Sequence, residues 1–460
     1  MVFSSTVFLF LFLPAILFLY YTVCRKHIVL KNILLLLGSL FFYAWGEPIV
    51  VFLMIVSMAV NYFFGFFMNG KRKKLFLTAC VLFNLSFLFI FKYLDFSLGI
   101  AELLFQSNFV KTNIALPIGI SFYTFQAMSY VIDVYRQNAK PQKNPFYLGL
   151  YISLFPQLIA GPIVRYSTVE QQIVGRKESW DLFSEGVERF TVGLAKKMLI
   201  ANNVGFLADM VYAMKEAELT TAFLWLAAIA YTLQIYFDFS AYSDMAIGLG
   251  KMFGFRFEEN FNYPYIARSV TDFWRRWHIS LSTWFRDYVY IPLGGNRVST
   301  PRHIFNLFVT WLCTGIWHGA NWTFIVWGLY FFVFLLLEKF LKLDKVFKYV
   351  GNLYTLLVVI ISWVIFRAES MGAAFLYIAK MFSFDMASFG GEDFLWYLQR
   401  FSVILLLGLV FSTPLAKKAK EKLTEKNLDF IWYIVLLLLM LLSVSFMFRS
   451  SYNPFIYFNF

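Results

Sequence analysis

Histidine, arginine and tryptophan are concentrated in residues 270–328, between segments that are mostly Phe, Leu, Ile and Val. Two of the chain's four histidines, His278 and His318, lie in this stretch. A neutral imidazole can take a proton from a hydroxyl near physiological pH, because its ordinary pKa is about 6.5. We therefore take 270–328 as the candidate reaction centre and His318 as its principal residue.

The two histidines differ in their surroundings. His318 lies near the centre of the apolar run 304–337, beside Gly319, which allows another group to approach closely. The residues leave a second interpretation open, in which His318 only joins helices by hydrogen bonds. His278 follows an Arg-Arg-Trp triplet, a setting that is also typical of the membrane interface. His27 and His303 lie among basic turn residues, and we expect both to be solvated.

Other polar groups near His318 are candidates for substrate contacts. Trp317 and Asn321 flank the histidine, and the Asn321 amide or nearby backbone N–H groups could hold an oxyanion. Arg275 and its charged neighbours could line an inner funnel, or form an amphipathic interfacial helix. The stretch 292–297, PLGGNR, could present N–H groups to a phosphate, although an ordinary turn is the favoured interpretation.

A second polar group interrupts the strongly apolar stretch 221–250, in the sequence AYTLQIYFDFSAYSDMAIGLG. Asp238, Ser240 and Asp244 are expensive to expose to lipid, so we expect them to face a protein interior or a cavity. We predict that these three side chains line a tunnel or bind substrate.

The composition is that of an integral membrane protein. The chain is 60% hydrophobic and 15% charged, whereas soluble proteins are roughly 45–50% apolar and about 25% charged. The net charge of +13 arises from basic residues in short turns between apolar spans, the pattern that orients a membrane protein. We therefore expect lipid, and no nucleic acid, as a partner. The three cysteines form no CxxC pair, and we expect neither a metal site nor a bound cofactor.

The apolar segments predict an all-α fold with about ten or eleven transmembrane helices and one or two broken ones. Basic turns near Lys26 and Lys71 place the N-terminus outside the cell, and we expect one integral domain over 1–460. Pro156, Gly161 and Pro162 break the segment 145–163, which predicts a re-entrant element.

The run 304–337 is too long for one crossing of a hydrocarbon core of about 30 Å, so we predict a break near His318. If Lys339 marks the cytoplasmic end, about 20 residues at 1.5 Å each raise His318 by roughly 30 Å. That height places His318 in the outer half of the membrane.

Two long motifs, DFWRRWHISLSTWFRDYVYIPLGGNR and GIWHGANWTFIVWG, resemble the membrane-bound O-acyltransferase (MBOAT) family. Within it, the chain is most similar to the alginate O-acetyltransferase branch. Supporting pieces occur in order along the whole chain: MVFSSTVFLFLFLP, LLLGSLFFYAWGEP, PIGISFYTFQAMSYVIDVYR, FPQLIAGPIVRY, YFDFSAYSDMAIGLG, NFNYPY and NPFIYFNF.

The resemblance implies a multi-pass fold around a central tunnel, through which an acyl group passes from a cytoplasmic thioester to an outer acceptor. The family's membrane-embedded histidine matches His318, and its second histidine matches His278. It further implies acetyl-CoA as the donor, an extracytoplasmic SGNH-type acetyltransferase as a partner, a polysaccharide as the acceptor, and the bacterial inner membrane as the location. His318 would be the general base on the acceptor hydroxyl or on a relay nucleophile, and His278 would orient the acceptor or stabilise charge.

Two other functions remain open at this point. The D-alanyl transferases of teichoic acid synthesis share both histidines, although PLGGNR and DFSAYSDMAIG favour the acetylating branch. A polytopic transporter or flippase would explain the polar spans without covalent chemistry. Transporter folds commonly consist of two matching halves, and we find no such match in this chain.

Overall fold

The computed structural model describes residues 1–159, 161–215, 219–346, 349–383, 392–449 and 452–456. Every regular element in these ranges is a helix. An apolar segment that lies in lipid must satisfy its backbone hydrogen bonds within itself, which a helix does. The predicted all-α class is therefore confirmed.

The chain divides into two compact units. Unit 1 comprises Met1–Phe190 and Tyr242–Glu258, and unit 2 comprises Thr191–Ala241 and Glu259–Phe460. This division into compact units does not test whether the chain forms one integral domain over 1–460, which stays a prediction.

Unit 1 begins with nine helices: α1 (Leu13–Tyr21), α2 (Ile28–Ala44), α3 (Val50–Phe67), α4 (Lys73–Leu88), α5 (Leu94–Phe105), α6 (Ile120–Tyr135), α7 (Pro145–Ser153), α8 (Phe155–Leu158) and α9 (Tyr166–Gly175). Three further helices follow: α10 (Trp180–Ala195), α11 (Asn202–Tyr212) and α12 (Thr221–Met252). The boundary between the units falls within α10 and again within α12, and α11 belongs to unit 2.

The rest of unit 2 contains ten helices among the described residues: α13 (Val270–Arg276), α14 (Ile279–Phe285), α15 (Thr300–His318), α16 (Trp322–Leu341), α17 (Leu343–Val346), α18 (Gly351–Arg367), α19 (Met371–Met381), α20 (Glu392–Phe411), α21 (Leu415–Glu425) and α22 (Asp429–Arg449). Short π-helical turns occur at Phe8–Phe12, Phe89–Tyr93, Lys196–Ala201 and Arg286–Tyr290.

Six helical segments in the described ranges are long and apolar enough to cross a membrane: Val50–Phe67, Lys73–Phe105, Thr221–Met252, Trp322–Leu341, Asp393–Phe411 and Asp429–Arg449. Four shorter apolar helices accompany them, at Phe8–Tyr21, Ile28–Ala44, Gly351–Arg367 and Met371–Met381. The chain is therefore a multi-pass membrane protein, as its composition predicts.

Helix α12 differs from the other long apolar helices in its burial. In α12, 89% of the apolar window is buried inside the protein, compared with 6% in α22. The polar side chains of α12 therefore face protein rather than lipid, which agrees with the expectation for this stretch.

Both predicted helix breaks occur. In 145–163, α7 ends at Ser153, and the four-residue α8 follows after the non-helical Leu154. In 304–337, α15 ends at His318 and α16 begins at Trp322. The Asn321 side chain caps α16 by accepting a hydrogen bond from the Thr323 N–H at 3.1 Å. His318 is thus the last residue of its helix.

Helices α15 and α16 touch through two glycines. A Cβ atom on Gly328 would lie 2.4 Å from the carbonyl oxygen of Trp311, and one on Gly315 would lie 2.5 Å from the carbonyl oxygen of Phe324. Small residues allow two membrane helices to pack backbone against backbone. This close packing sets the position of the C-terminal end of α15, which carries His318.

Replacing Gly328 with alanine is expected to separate α15 from α16, because the added methyl group overlaps a backbone oxygen that cannot rotate away. We expect a loss of roughly 1–3 kcal/mol of stability, the usual cost of overpacking, measured as a lower thermal midpoint of the purified protein. Gly372→Ala is the matched control, since the nearest atom to its added Cβ is Ser370 Oγ at 3.9 Å. Equal midpoints for the two variants would contradict the assigned contact.

Candidate active site

Trp317 brings the two candidate histidines together. Its ring centroid lies 5.0 Å from that of His318 and 6.2 Å from that of His278. All three side chains are buried, with 4% of Trp317, 3% of His318 and 0% of His278 exposed. The structure therefore places both predicted histidines and the predicted Trp317 in one site within unit 2.

Aromatic rings enclose His318. The ring of Trp327 on α16 lies 4.8 Å from the imidazole, and that of Phe366 on α18 lies 5.3 Å from it, both edge-on. Trp327 in turn packs on Trp363, with 5.9 Å between ring centroids. Trp327, Trp363 and Phe366 belong to the hydrophobic core of unit 2. The His318 imidazole is therefore surrounded by apolar side chains that exclude water.

His278 lies at the junction between α13 and α14. Its φ of 42° is in the left-handed region, where histidine is more often found than most residues other than glycine. The Phe239 ring lies 4.6 Å from its imidazole, and Asn260 Oδ1 lies 3.2 Å from its Nδ1 atom. His278 is outside the apolar helices that form candidate spans. Burial lowers the pKa of this imidazole, so the ring is neutral at physiological pH.

Glu338 of α16 positions the helix that precedes His278. Its carboxylate accepts hydrogen bonds from the backbone N–H groups of Val270 and Thr271 and from the Thr271 hydroxyl. Ser269 also caps α13, accepting from the Asp272 N–H at 3.0 Å. A buried carboxylate at a helix N-terminus is favoured by the helix dipole, and these bonds join α13 to α16.

An open, mostly apolar pocket with a volume of about 160 Å³ lies along α14 and α15. Thr314, which lines it, is one helical turn before His318. The hydroxyls of Thr310 and Thr314 donate to carbonyl oxygens of α15 itself, at 2.7 and 2.8 Å, so the pocket wall offers few polar groups. The lining residues are Trp274, Leu281, Ser282, Phe285, Arg286, Tyr290, Leu307, Thr310, Trp311 and Thr314.

Asn321 and Arg275 are the two other residues near the histidines in sequence that are predicted to contact substrate. The Asn321 amide is engaged locally: its oxygen caps α16, and its Nδ2 donates to the Glu369 carbonyl oxygen at 3.1 Å. Arg275 is exposed on α13. A role for Asn321 in holding an oxyanion, and one for Arg275 in binding substrate, stay predictions.

The predicted polar residues of α12 are buried, and both aspartates among them form internal ion pairs. Asp238, in unit 2, pairs with Lys197 at 2.5 Å, and Ser240 is 1% exposed. Asp244, in unit 1, pairs with Arg189 at 2.6 Å. Their burial agrees with the sequence interpretation, and contact with a substrate stays a prediction for all three.

The expectation that His303 is solvated is wrong. The side chain is buried, with Nε2 2.9 Å from the Tyr290 hydroxyl and Nδ1 2.8 Å from Lys339 Nζ. The reason is that α15 and α16 are antiparallel, so the start of α15 lies beside the end of α16. His27 is exposed, as expected.

The stretch 292–297 forms a turn, in agreement with the favoured interpretation. Gly294 and Gly295 adopt φ values of 110° and 58°, which other residues rarely reach. The Gly295 carbonyl oxygen accepts a hydrogen bond from Asn306 Nδ2 at 3.0 Å, which attaches the turn to α15.

Asn260 is the residue of the site that sequence reasoning did not identify. It is fully buried, and its side-chain oxygen contacts both His278 and Ser280. It belongs to the NFNYPY stretch that supports the family resemblance. The signal in the sequence is an asparagine among aromatic residues, because an amide that is buried in such surroundings must find hydrogen-bond partners.

Comparison with known proteins agrees with this architecture. Residues 40–371 match the model of MBOAT, the membrane-bound O-acyltransferase family. The chain is 40% identical to a probable alginate O-acetylase AlgI from Azotobacter vinelandii, covering 100% of both proteins. It is 33% identical to a peptidoglycan O-acetyltransferase from Helicobacter pylori, covering 100% of this chain and 98% of the relative.

A teichoic acid D-alanyltransferase from Bacillus subtilis is more distant, at 30% identity over 56% of this chain and 68% of the relative. The family match decides against a transporter or flippase without covalent chemistry. The chain belongs to the membrane-bound O-acyltransferase family and is an O-acyltransferase.

Proposed function

We propose that this chain is a bacterial inner-membrane O-acetyltransferase that moves an acetyl group from cytoplasmic acetyl-CoA towards hydroxyls of an extracytoplasmic polysaccharide, alginate or a related polymer. One observation carries the proposal: a multi-pass acyltransferase buries two histidines against a single tryptophan. The similarity to alginate and peptidoglycan O-acetyltransferases supports acetyl as the acyl group.

In the proposed reaction, His318 takes the proton of the acceptor hydroxyl as its oxygen attacks the thioester carbonyl carbon. The new C–O bond forms, the C–S bond breaks, and the thiolate leaves with the proton that His318 held. Trp317, Trp327 and Phe366 exclude water around the imidazole, which protects the thioester from hydrolysis.

The pocket along α14 and α15 supports a route for the donor. A thioester arm is largely apolar, and the pocket wall is mostly aromatic and aliphatic. Its polar lining residues include Arg286, which pairs with Asp287, and two threonines whose hydroxyls bond to their own helix. Thr314, one of the lining residues, is a helical turn before His318. We therefore propose that the acyl-bearing end of acetyl-CoA enters through this pocket.

The partner and the acceptor are part of the same proposal. The resemblance to the alginate branch supports an extracytoplasmic SGNH-type acetyltransferase that completes transfer to the polymer. The basic turns support an orientation in which the donor is cytoplasmic and the acceptor lies on the other side.

D-alanyl transfer to teichoic acid is the second candidate, favoured by the partial similarity to the Bacillus subtilis enzyme. Deleting the gene from its host and measuring what mild base releases from the extracellular polymer separates the two. We expect acetate to be lost in the deletion strain and restored by the wild-type chain, but not by a His318→Gln variant. Loss of alanine with unchanged acetate would instead assign D-alanyl transfer.

A further inference from the structure

The orientation of the Asn260 carboxamide is fixed by the backbone N–H of Ser280, which can only donate a hydrogen bond. The backbone N–H of Ser280 lies 3.1 Å from Asn260 Oδ1, and the Ser280 hydroxyl donates to the same atom at 2.8 Å. A backbone N–H is always a donor, so the atom facing it must be the amide oxygen and not the amide nitrogen. This contact fixes the direction of the carboxamide.

The fixed oxygen also settles which nitrogen of His278 carries a proton. Asn260 Oδ1 lies 3.2 Å from His278 Nδ1, and a carboxamide oxygen only accepts hydrogen bonds. Nδ1 must therefore be the donor in this pair. Because the neutral ring carries one proton, Nε2 is the unprotonated nitrogen and can act only as a hydrogen-bond acceptor.

Backbone hydrogen bonds fix the pairing between the loop segment 260–262 and the segment 276–279 around His278. The Ile279 N–H donates to the Asn260 carbonyl oxygen at 2.9 Å, and the Asn262 N–H donates to the Arg276 carbonyl oxygen at 2.9 Å. Together they bracket His278, whose left-handed φ of 42° is otherwise unfavourable. The segment 260–262 therefore determines both the backbone and the ring of this histidine.

We propose that Asn260 is the positioning residue of His278: its oxygen fixes the Nδ1–H tautomer and leaves Nε2 to accept a hydrogen bond from a second hydroxyl of the polysaccharide acceptor, one that does not react. A neutral amide, unlike a carboxylate, gives little stabilisation to an imidazolium. His278 therefore orients the acceptor, while His318 takes the proton of the reacting hydroxyl. This division of labour rests on the proposed function, whereas the tautomer follows from the contacts alone.

The first experiment reads the tautomer directly. The ¹⁵N shifts of the ring nitrogens in ¹⁵N-histidine-labelled protein distinguish protonated from unprotonated atoms, and only four histidines contribute. A His278→Gln spectrum identifies the signals of His278. We expect protonated Nδ1 and unprotonated Nε2 in the wild type and in Asn260→Asp, which keeps the acceptor oxygen. A wild-type ring protonated at Nε2 would overturn the proposal, whatever the enzyme's activity.

The second experiment measures transfer. Asn260→Leu removes the acceptor at similar volume, and we expect kcat to fall about 10- to 100-fold, the rate equivalent of one lost hydrogen bond to a buried group. Asn262→Leu is the matched control, because that side chain is exposed and only its backbone joins the pairing. Wild-type kcat in a folded Asn260→Leu protein would also refute the proposal. If Asn260→Leu does not fold, the wild-type spectrum still decides.

Discussion

Replacing His318 with glutamine is expected to lower kcat for acyl transfer by about 10²–10⁴-fold, the usual contribution of a general base. Glutamine keeps a hydrogen-bonding side chain of similar length but cannot take a proton. Because His318 is the last residue of α15 and is packed against Trp327 and Phe366, the substitution should change the chemistry more than the fold. The measurement is the initial rate of thiol release from acetyl-CoA by the purified protein.

His27→Gln serves as the control for this substitution, since His27 is exposed and lies in unit 1. Both variants should elute as the wild type does and unfold at a similar temperature. A folded His318→Gln protein with wild-type kcat would show that another group takes the hydroxyl proton.

Replacing Lys197 with methionine is expected to give the largest loss of stability. Lys197 Nζ lies 2.5 Å from Asp238 Oδ1, and the two side chains are 4% and 2% exposed. The same ammonium donates to the Pro454 carbonyl oxygen, and Asp238 Oδ2 accepts from the Ile456 N–H at 2.9 Å. Removing the lysine leaves a buried carboxylate without its counter-ion, which typically costs about 3–5 kcal/mol.

Lys251→Met is the matched control, because Lys251 pairs with Glu185 at 2.8 Å in a pair that is 28% and 58% exposed. Exposed pairs contribute at most about 1 kcal/mol, so this variant should unfold close to the wild type in thermal or denaturant titrations. Similar midpoints for Lys197→Met and Lys251→Met would mean that the buried pair does not stabilise unit 2.

The Lys197 variant is also expected to slow transfer. Asp238 directly precedes Phe239, whose ring lies 4.6 Å from that of His278. If Asp238 is displaced, the adjacent Phe239 ring should shift against the His278 imidazole. The double variant Lys197→Met with Asp238→Leu removes the unpaired charge and should recover part of the lost stability.

The sequence predicts those parts of this structure that depend on local physics. The break at His318 follows from a run too long for one span and from Gly319 and Asn321, which end one helix and start the next. The burial of Asp238 follows from the cost of a carboxylate in lipid. The choice of His278 and His318 as candidate catalytic residues follows from the polar and aromatic stretch in which they lie and from the family resemblance.

Contacts between residues that are distant in the chain could not be predicted in this way. Asn260 and His278 are joined by a loop pairing whose register no hydrophobic period specifies. The partner of Asp238 is 41 residues away, at a π-helical turn. His303 was expected to be solvated because its neighbours in sequence are basic, whereas its neighbours in space, Tyr290 and Lys339, are set by helix packing.

The most direct test of the central claim uses the purified wild-type chain and its His318→Gln variant in lipid nanodiscs with acetyl-CoA labelled in the acetyl group. We predict that the wild type releases thiol and transfers an equal amount of label to a hydroxyl acceptor or to the SGNH-type partner, and that the variant does neither. Unchanged transfer by the folded variant, or thiol release without any transfer of label by the wild type, would contradict the account.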